Sequence, residues 1–276
     1  MIRFVRALVL VLVAFAAQGA FAAITCNITS SGVTLAYPAN SAPVSVQTGF
    51  TVTCARGLST DPTSISYSVS VNNGLNPNGI NNRAFSGSNA LRYDVYQNAA
   101  CSTTWKGSQT INDSITTLSG FTPASKTTAF WGCVTTAQSP VAGTYTDTVT
   151  MTLTYGTSTA TNTFPVSIAT PATCNVTTPP GAVAFGTYVA MGGAVSASTN
   201  FTVTCTTYLP YTMSLDQGTG VMAGLQYQLS LAATTASGTG AAQSYTINGT
   251  LPAGQAGTCT GATCSGSQTR TLTITY

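Results

Sequence analysis

The side chains that could carry out chemistry in this chain are few and of limited types. All five acidic residues are aspartates, and histidine and glutamate are absent. General acid–base and nucleophilic mechanisms rely on a base held beside the reacting group, most often a histidine. Asp61, Asp94 and Asp113 lack the Asp-x-Asp spacing of a calcium loop, so we assign them to turns and caps. The sequence therefore predicts a protein that is not an enzyme and that uses no metal or other cofactor.

Charged side chains are too sparse to recognise a polyanion. They make up 5% of the chain, and the formal net charge of +3 falls to +1 without Arg3 and Arg6. Proteins that capture nucleic acid or anionic lipid by electrostatics carry a dense basic patch. We therefore expect no nucleic-acid partner.

The N-terminus has the pattern of a secretory signal peptide. Arg3 and Arg6 precede an apolar run over residues 7–17, and small residues complete a cleavage site before Ala23. The run is shorter than the roughly 20 residues that a membrane-spanning helix needs. The sequence therefore predicts a signal peptide over residues 1–22 and an exported mature chain.

A set of short motifs occurs twice in the same order. The sequence FTVTC at residues 50–54 returns at residues 201–205. The other matching pairs are residues 67–71 with 211–215, 91–93 with 225–227, and 148–155 with 271–276. Because the order is kept throughout, we interpret the chain as two homologous domains in tandem.

The eight cysteines divide evenly between the two copies. They are Cys26, Cys54, Cys101 and Cys133 in the first, and Cys174, Cys205, Cys259 and Cys264 in the second. In an exported chain such cysteines favour disulfides over metal or redox chemistry. The repeat alignment predicts the bridges Cys26–Cys54 and Cys174–Cys205, and elimination leaves Cys101–Cys133 and Cys259–Cys264.

The elements that position these residues are predicted to be strands. In residues 148–155, apolar residues alternate with threonines, which is typical of a strand with one face in the core. Turn residues between such runs favour an all-β fold of two tandem immunoglobulin-like β-sandwiches. Domain one is expected over residues 23–155 and domain two over residues 174–276. The extra residues of domain one are assigned to loops, chiefly residues 72–90 and 112–126.

The segment between the domains, residues 156–173, predicts a strand of its own. Phe164, Val166 and Ile168 alternate with other residues, so the segment can supply domain one with its last strand in cis. The sequence has no residue after Tyr276, so domain two is expected to lack this strand and to accept one from another molecule. The residues expected to line its open groove are Phe201, Val203, Leu272, Ile274 and Tyr276. The alternative is that they are core positions of a complete sandwich.

The order of the motifs resembles one known family. The resemblance is carried by residues 174–176 (CNV), 185–188 (FGTY), 201–205, 211–218 and 271–276, and in the first copy by residues 91–96 (LRYDVY) with Cys101 and Trp105. This pattern resembles the spore coat protein U family, which includes subunits of archaic, Csu-type chaperone–usher pili. The resemblance covers nearly all of the mature chain.

The resemblance implies a place in a fibre. A pilin of this family has an alternating apolar extension before its first cysteine, which fills the groove of a neighbouring subunit. Residues 164–168 resemble that extension but are used within the same chain. Only three residues, 23–25, precede Cys26, so we expect the chain to accept a strand without donating one. Such a subunit belongs at the outer end of a pilus.

The implied function is that of a two-domain tip adhesin that mediates surface attachment and biofilm formation. The implied partners are a periplasmic chaperone, an outer-membrane usher, a major or adaptor pilin that donates a strand, and an abiotic or host surface. The protein would pass through the periplasm and function outside the cell at the pilus tip.

The loops of domain one far from the linker are the expected contact with that surface. Apolar side chains that cannot reach a core are the candidate contacts, and we select Leu58, Leu118 and Phe121. Trp131 is interpreted as a core residue. The alternative function is a structural spore-coat or envelope protein that self-associates, which a stable monomer or homopolymer without a chaperone would favour.

Overall fold

The computed structural model describes residues 24–276, and this part of the chain consists of β-strands joined by turns and loops. The expected signal peptide, residues 1–22, lies outside the described residues. Within residues 24–276 there is no helix long and apolar enough to cross a membrane. The strands belong to two groups along the chain, and the predicted all-β class with two domains is confirmed.

Domain one is a single ten-stranded sheet that folds over on itself. Its strands are β1 (Thr25–Ser30), β2 (Val33–Ala36), β3 (Val44–Ala55), β4 (Ile65–Val71), β5 (Asn82–Ser86), β6 (Asn89–Tyr96), β7 (Ile111–Ile115), β8 (Ala124–Val134), β9 (Gly143–Tyr155) and β10 (Ser158–Thr170). One half has the order β1-β3-β8-β6, and the other has the order β6-β5-β9-β10-β2. β4 also pairs with β9, and β7 pairs with β4.

The core of domain one lies between these two halves. In β9, Val149, Met151 and Leu153 are fully buried while the threonines between them face outwards, as the alternation of a strand requires. The ring of Phe130 in β8 lies 5.3 Å from the ring of Phe164 in β10, measured between centroids. Both halves therefore contribute to one apolar core.

Trp105, and not Trp131, is the tryptophan of this core. Trp105 packs against Phe50 and Phe130, and its indole Nε1–H donates a hydrogen bond of 2.9 Å to the Val69 carbonyl. Trp131 is only half-buried, so its interpretation as a core residue was wrong. Its neighbour Phe130 takes the inward position on β8, and successive side chains of a strand point to opposite faces.

Two segments that were expected to be loops contain strands. Residues 72–90 include β5, and residues 112–126 include most of β7 and the start of β8. β5 and β6 form a hairpin whose turn contains Gly87 at a φ of 58°. The Asn- and Gly-rich composition belongs to the turns on either side of β5, and the strand itself is too short and too polar to show a clear alternation.

β10 is the strand that completes domain one. It pairs antiparallel with β9 along its whole length, and its second half pairs in parallel with β2. Phe164, Val166 and Ile168 point inwards and are buried in the core. The segment between the predicted domains is therefore an integral strand of the first one.

Domain two has two separate sheets. Its strands are β11 (Cys174–Thr178), β12 (Val195–Cys205), β13 (Pro210–Leu215), β14 (Thr219–Met222), β15 (Leu225–Leu231), β16 (Thr235–Ser237), β17 (Ala242–Leu251) and β18 (Leu272–Thr275). The larger sheet has the order β11-β12-β17-β15-β14, and the smaller has the order β16-β13-β18. The buried core between them is small and consists of Phe201, Val203, Cys205, Tyr211, Met213 and Ile247.

The two domains touch beside the linker. Val141 forms a parallel β-bridge with Thr207, and the Thr207 hydroxyl donates a hydrogen bond of 2.8 Å to the Ser139 carbonyl. The side-chain amide of Asn40 donates to the Gly240 carbonyl. These groups are all uncharged, so salt should have little influence on the contact.

Candidate functional site

A groove of about 450 Å³ lies on one side of domain two. Its lining includes residues 180–186 and, on the approach to β18 and at its first residue, residues 266–268, 270 and 272. The larger aliphatic, Met and Phe side chains that line it are Val183, Phe185, Leu215, Met222, Leu229, Ile247 and Leu272. β13 pairs with one edge of β18, and no strand within residues 24–276 pairs with the other edge. The groove therefore combines an apolar lining with a free strand edge.

Strand register shows what occupies the same place in domain one. Leu272 of β18 pairs with Leu215 of β13, as Met151 of β9 pairs with Val71 of β4. The free edge of β18 therefore corresponds to the edge of β9 that β10 covers. The groove of domain two is the place that Phe164, Val166 and Ile168 fill in domain one.

The exposure of equivalent side chains agrees with this difference. Met151 and Leu153 are fully buried in domain one, whereas their counterparts Leu272 and Ile274 are only half-buried. Leu215 is likewise more exposed than its counterpart Val71. The same positions are thus covered where β10 is present and partly open where no equivalent strand is present among the described residues.

The five residues expected to line the groove do not all reach it. Leu272 lines the groove, while Ile274, two residues further along the chain, is half-buried and packs against the core of domain two. Phe201 and Val203 are fully buried in the apolar core of domain two. Tyr276 lies beyond the end of β18 and is 59% exposed. Of the five predicted residues, Leu272 is the one that lines the groove.

Sequence reasoning missed most of the groove lining. Val183 and Phe185 come from a segment without regular structure, and Leu229 and Ile247 come from β15 and β17. The internal repeat could have identified Leu215 as a neighbour of β18, because residues 211–215 align with residues 67–71, which form a strand beside β9. The other lining residues could not be identified from the repeat, because their positions depend on how the two sheets of domain two face each other.

One end of the groove is polar. The Tyr227 hydroxyl donates a hydrogen bond of 2.5 Å to Oε1 of Gln268, and Nη2 of Arg270 donates one of 2.8 Å to the same oxygen. Nη2 also donates to the Thr219 carbonyl at 3.2 Å. The Arg270 guanidinium lies 5.6 Å from the centroid of the Tyr227 ring, within the range of a cation–π contact.

Domain one has a different pair at the corresponding position. The Tyr93 hydroxyl donates a hydrogen bond of 2.7 Å to Oδ2 of Asp147, which is buried. Burial, and then the negative charge of Asp147, raise the pKa of Tyr93 well above its ordinary value of 10. Tyr93 therefore stays protonated and remains a hydrogen-bond donor.

The predicted surface-binding residues lie at the end of domain one opposite the linker. The loops over residues 56–64 and 116–123 meet there, and the Leu118 amide donates a hydrogen bond of 2.9 Å to the Thr63 carbonyl. Leu58 is 39% exposed and Phe121 is 65% exposed. Leu118 is only 1% exposed and belongs to the core. Its selection as a surface contact was wrong, because its side chain packs beneath the loop.

The cysteines form four disulfides, each within one domain. They are Cys26–Cys54, Cys101–Cys133, Cys174–Cys205 and Cys259–Cys264, which are the pairs expected from the repeat and by elimination. Cys26–Cys54 and Cys174–Cys205 join equivalent strand pairs, β1 with β3 and β11 with β12. The disulfides therefore stabilise the framework of the domains and do not form a reactive site.

The aspartates take structural roles. The Asp61 carboxylate accepts hydrogen bonds from the amides of Gly57 and Leu58, at 2.9 and 2.7 Å. Asp94 forms an ion pair with Lys106, and Asp113 forms one with Lys126. Within residues 24–276 there is no group of three or more side chains that could hold a metal ion.

The chain belongs to the family described as the Spore Coat Protein U domain. The model of this family matches residues 11–152 and again residues 160–275. The two matches correspond to the two copies of the internal repeat. No curated protein matches the chain.

One solved structure shares the fold of this chain, and a second shows a weaker similarity. A chain of the CsuC–CsuE chaperone–tip adhesion subunit pre-assembly complex, from the archaic chaperone-usher Csu pili of Acinetobacter baumannii, matches with a TM-score of 0.53 and 15% identity, over 91% of this chain and 100% of that chain. The CupB6 tip adhesin from Pseudomonas aeruginosa matches with a TM-score of 0.40 and 9% identity, over 92% of this chain and 94% of that chain.

Proposed function

We propose that this protein is the tip adhesin of an archaic chaperone–usher pilus. In this proposal domain two joins the fibre, and domain one contacts a surface and so promotes biofilm formation. Membership of the spore coat protein U family supports the class of protein, as does the fold shared with a complex that contains a tip adhesion subunit. The observation that carries the proposal is the groove of domain two at the position that β10 fills in domain one.

The groove has the properties that an incoming β-strand needs. Its free edge on β18 offers unpaired main-chain groups, and its lining offers apolar side chains. Burying three or four apolar side chains of a donated strand would contribute about 1.5–3 kcal/mol each. A ladder of main-chain hydrogen bonds would add to this, as in other cases where a strand is added to a sheet edge.

The proposed partners follow from this demand for a strand. A periplasmic chaperone would lend a strand to the groove during export, and a major or adaptor pilin would replace it when the subunit is assembled through an outer-membrane usher. The assembled protein would then be held outside the cell at the pilus tip.

Co-expression with the periplasmic chaperone of the same pilus system tests the groove. Leu272→Arg introduces a charged side chain into the groove, whereas Thr273→Arg introduces the same side chain on the exposed face of the same strand. We expect the wild-type protein and Thr273→Arg to form a one-to-one complex on size exclusion, and Leu272→Arg to lose it. A stable wild-type monomer that does not bind the chaperone would instead favour the alternative function of a structural spore-coat or envelope protein.

Surface attachment is tested separately at the loops of domain one. Leu58 and Phe121 are the exposed apolar side chains of the two loops opposite the linker. Replacing both with Asn should lower the retention of the chaperone-bound protein on polystyrene, because the contact is apolar. Exposed Leu75 and Ile80 lie in a different loop, and replacing both with Asn provides the matched control. Equal losses in the two variants would exclude the loops opposite the linker as the specific contact.

A further inference from the structure

Arg270 is an unusual residue to find in the groove. It is the only Lys or Arg between Cys174 and Tyr276, a stretch whose only other charged side chain is the exposed Asp216. Charged side chains normally lie in solvent unless they are paired. Domain two therefore places its single cation in the wall of the groove.

The guanidinium of Arg270 is incompletely satisfied. Nη2 donates to Gln268 and Thr219, but the buried Nε has no hydrogen-bond partner within residues 24–276. The described part of the chain also places no carboxylate within ion-pair distance of it. A buried donor without a partner costs free energy that a suitable acceptor would recover.

Strand register identifies the position that faces Arg270. Arg270 lies two residues before Leu272, as Val149 lies two residues before Met151, so Arg270 corresponds to Val149. In domain one, Val149 pairs directly with Phe164 of β10. A strand bound in the groove with the same register would place one side chain directly beside Arg270. Side chains at such paired positions lie close enough to interact.

We propose that the strand that fills the groove carries an acidic residue at the position that pairs with Arg270. This proposal rests on the proposed function and names the chemistry of the partner. The carboxylate would accept hydrogen bonds from the guanidinium, which are stronger than those between neutral groups. The aliphatic part of the acidic side chain would pack on the apolar lining of the groove, which includes Ile247.

The proposal also explains how the groove would avoid a strand from a second copy of this chain. β10 carries the apolar Phe164 at the position in question, so its insertion in domain two would bury Arg270 without a counter-charge. Removing a charged group from water without a partner is costly. Arg270 would thus select against self-association as well as for an acidic partner.

Synthetic peptides and the full-length protein test this proposal. The probe is the sequence of Ser158–Thr170, made with Phe, Gln or Glu at position 164 and followed by fluorescence anisotropy. We expect the wild-type protein to bind the Glu peptide about tenfold more tightly than the Gln peptide, the size expected of a charged hydrogen bond. Arg270→Val, which introduces the residue of domain one, should lose this preference and bind the Phe peptide best.

The control is Arg92→Gln, which removes one positive charge from an exposed position of domain one. It should keep the preference of the wild-type protein. If the peptides bind but Glu has no advantage, or if Arg270→Val keeps that advantage, the acidic partner is excluded while the groove stands. If no peptide binds the wild-type protein, the groove itself fails as a strand acceptor, and the proposed function fails with it.

Discussion

Leu118 and Phe121 lie three residues apart in one loop but have opposite environments. Leu118 is buried in the core, and Phe121 is mostly exposed. We expect Leu118→Ala to lower the free energy of unfolding by about 2–5 kcal/mol, because it leaves a cavity. Phe121→Ala should change it by no more than about 0.5 kcal/mol. Guanidinium unfolding measures both, and similar losses would contradict the assignment of Leu118 to the core.

Asp113 provides a test of pH dependence at a single residue. Its hydrogen bond to Lys126 is the main cause that lowers the pKa of Asp113 below the ordinary 3.8. A lowered pKa stabilises the fold above the unfolded pKa, and this contribution is lost as the pH falls through the folded pKa. The pair is partly exposed, so it contributes no more than about 1 kcal/mol. Asp113→Asn should therefore be less stable than the wild type near neutral pH, and urea unfolding at about pH 2 should show no difference.

At the scale of elements, β10 is expected to control the stability of domain one. Both tryptophans of the chain, Trp105 and Trp131, lie in this domain, so tryptophan fluorescence reports on its unfolding alone. Phe164→Ala removes a fully buried ring next to Phe130 and should cost about 3–5 kcal/mol. Val176→Ala changes an exposed side chain of β11 in domain two and should leave this transition unchanged. A small effect of Phe164→Ala would mean that β10 is not required for the folded domain.

The sequence predicted the elements that carry a strong pattern. Alternation in residues 148–155 and 164–168 correctly indicated β9 and β10, because both strands bury one face in an apolar core. β5 and β7 were missed because both strands are short and rich in polar residues. Main-chain hydrogen bonds hold such a strand in the sheet, so its sequence need not show a clear alternation of apolar and polar residues. The groove residues were found only in part, because Val183 and Phe185 reach it from a segment without regular structure.

At the scale of the molecule, the two domains should respond differently to a donated strand. The core of domain one is closed by β10, whereas that of domain two is small and open at the groove. A strand peptide at 100 times its Kd should stabilise domain two by about 2.7 kcal/mol. Calorimetry should then show that the thermal transition of domain two moves to higher temperature, while the transition of domain one stays at the same temperature. A shift of the tryptophan-reported transition would mean that the peptide acts on domain one.

The direction of β10 also determines how the protein would bear force. β10 begins at Ser158, near the loops that we propose to contact a surface, and ends at Thr170, where the linker to domain two starts. A pull between surface and fibre would therefore run along this strand and load its hydrogen bonds to β9 and β2 in shear. These bonds would have to break together, not one after another as in unzipping. In this arrangement, the strand that completes the core of domain one is also the strand that connects this domain to domain two.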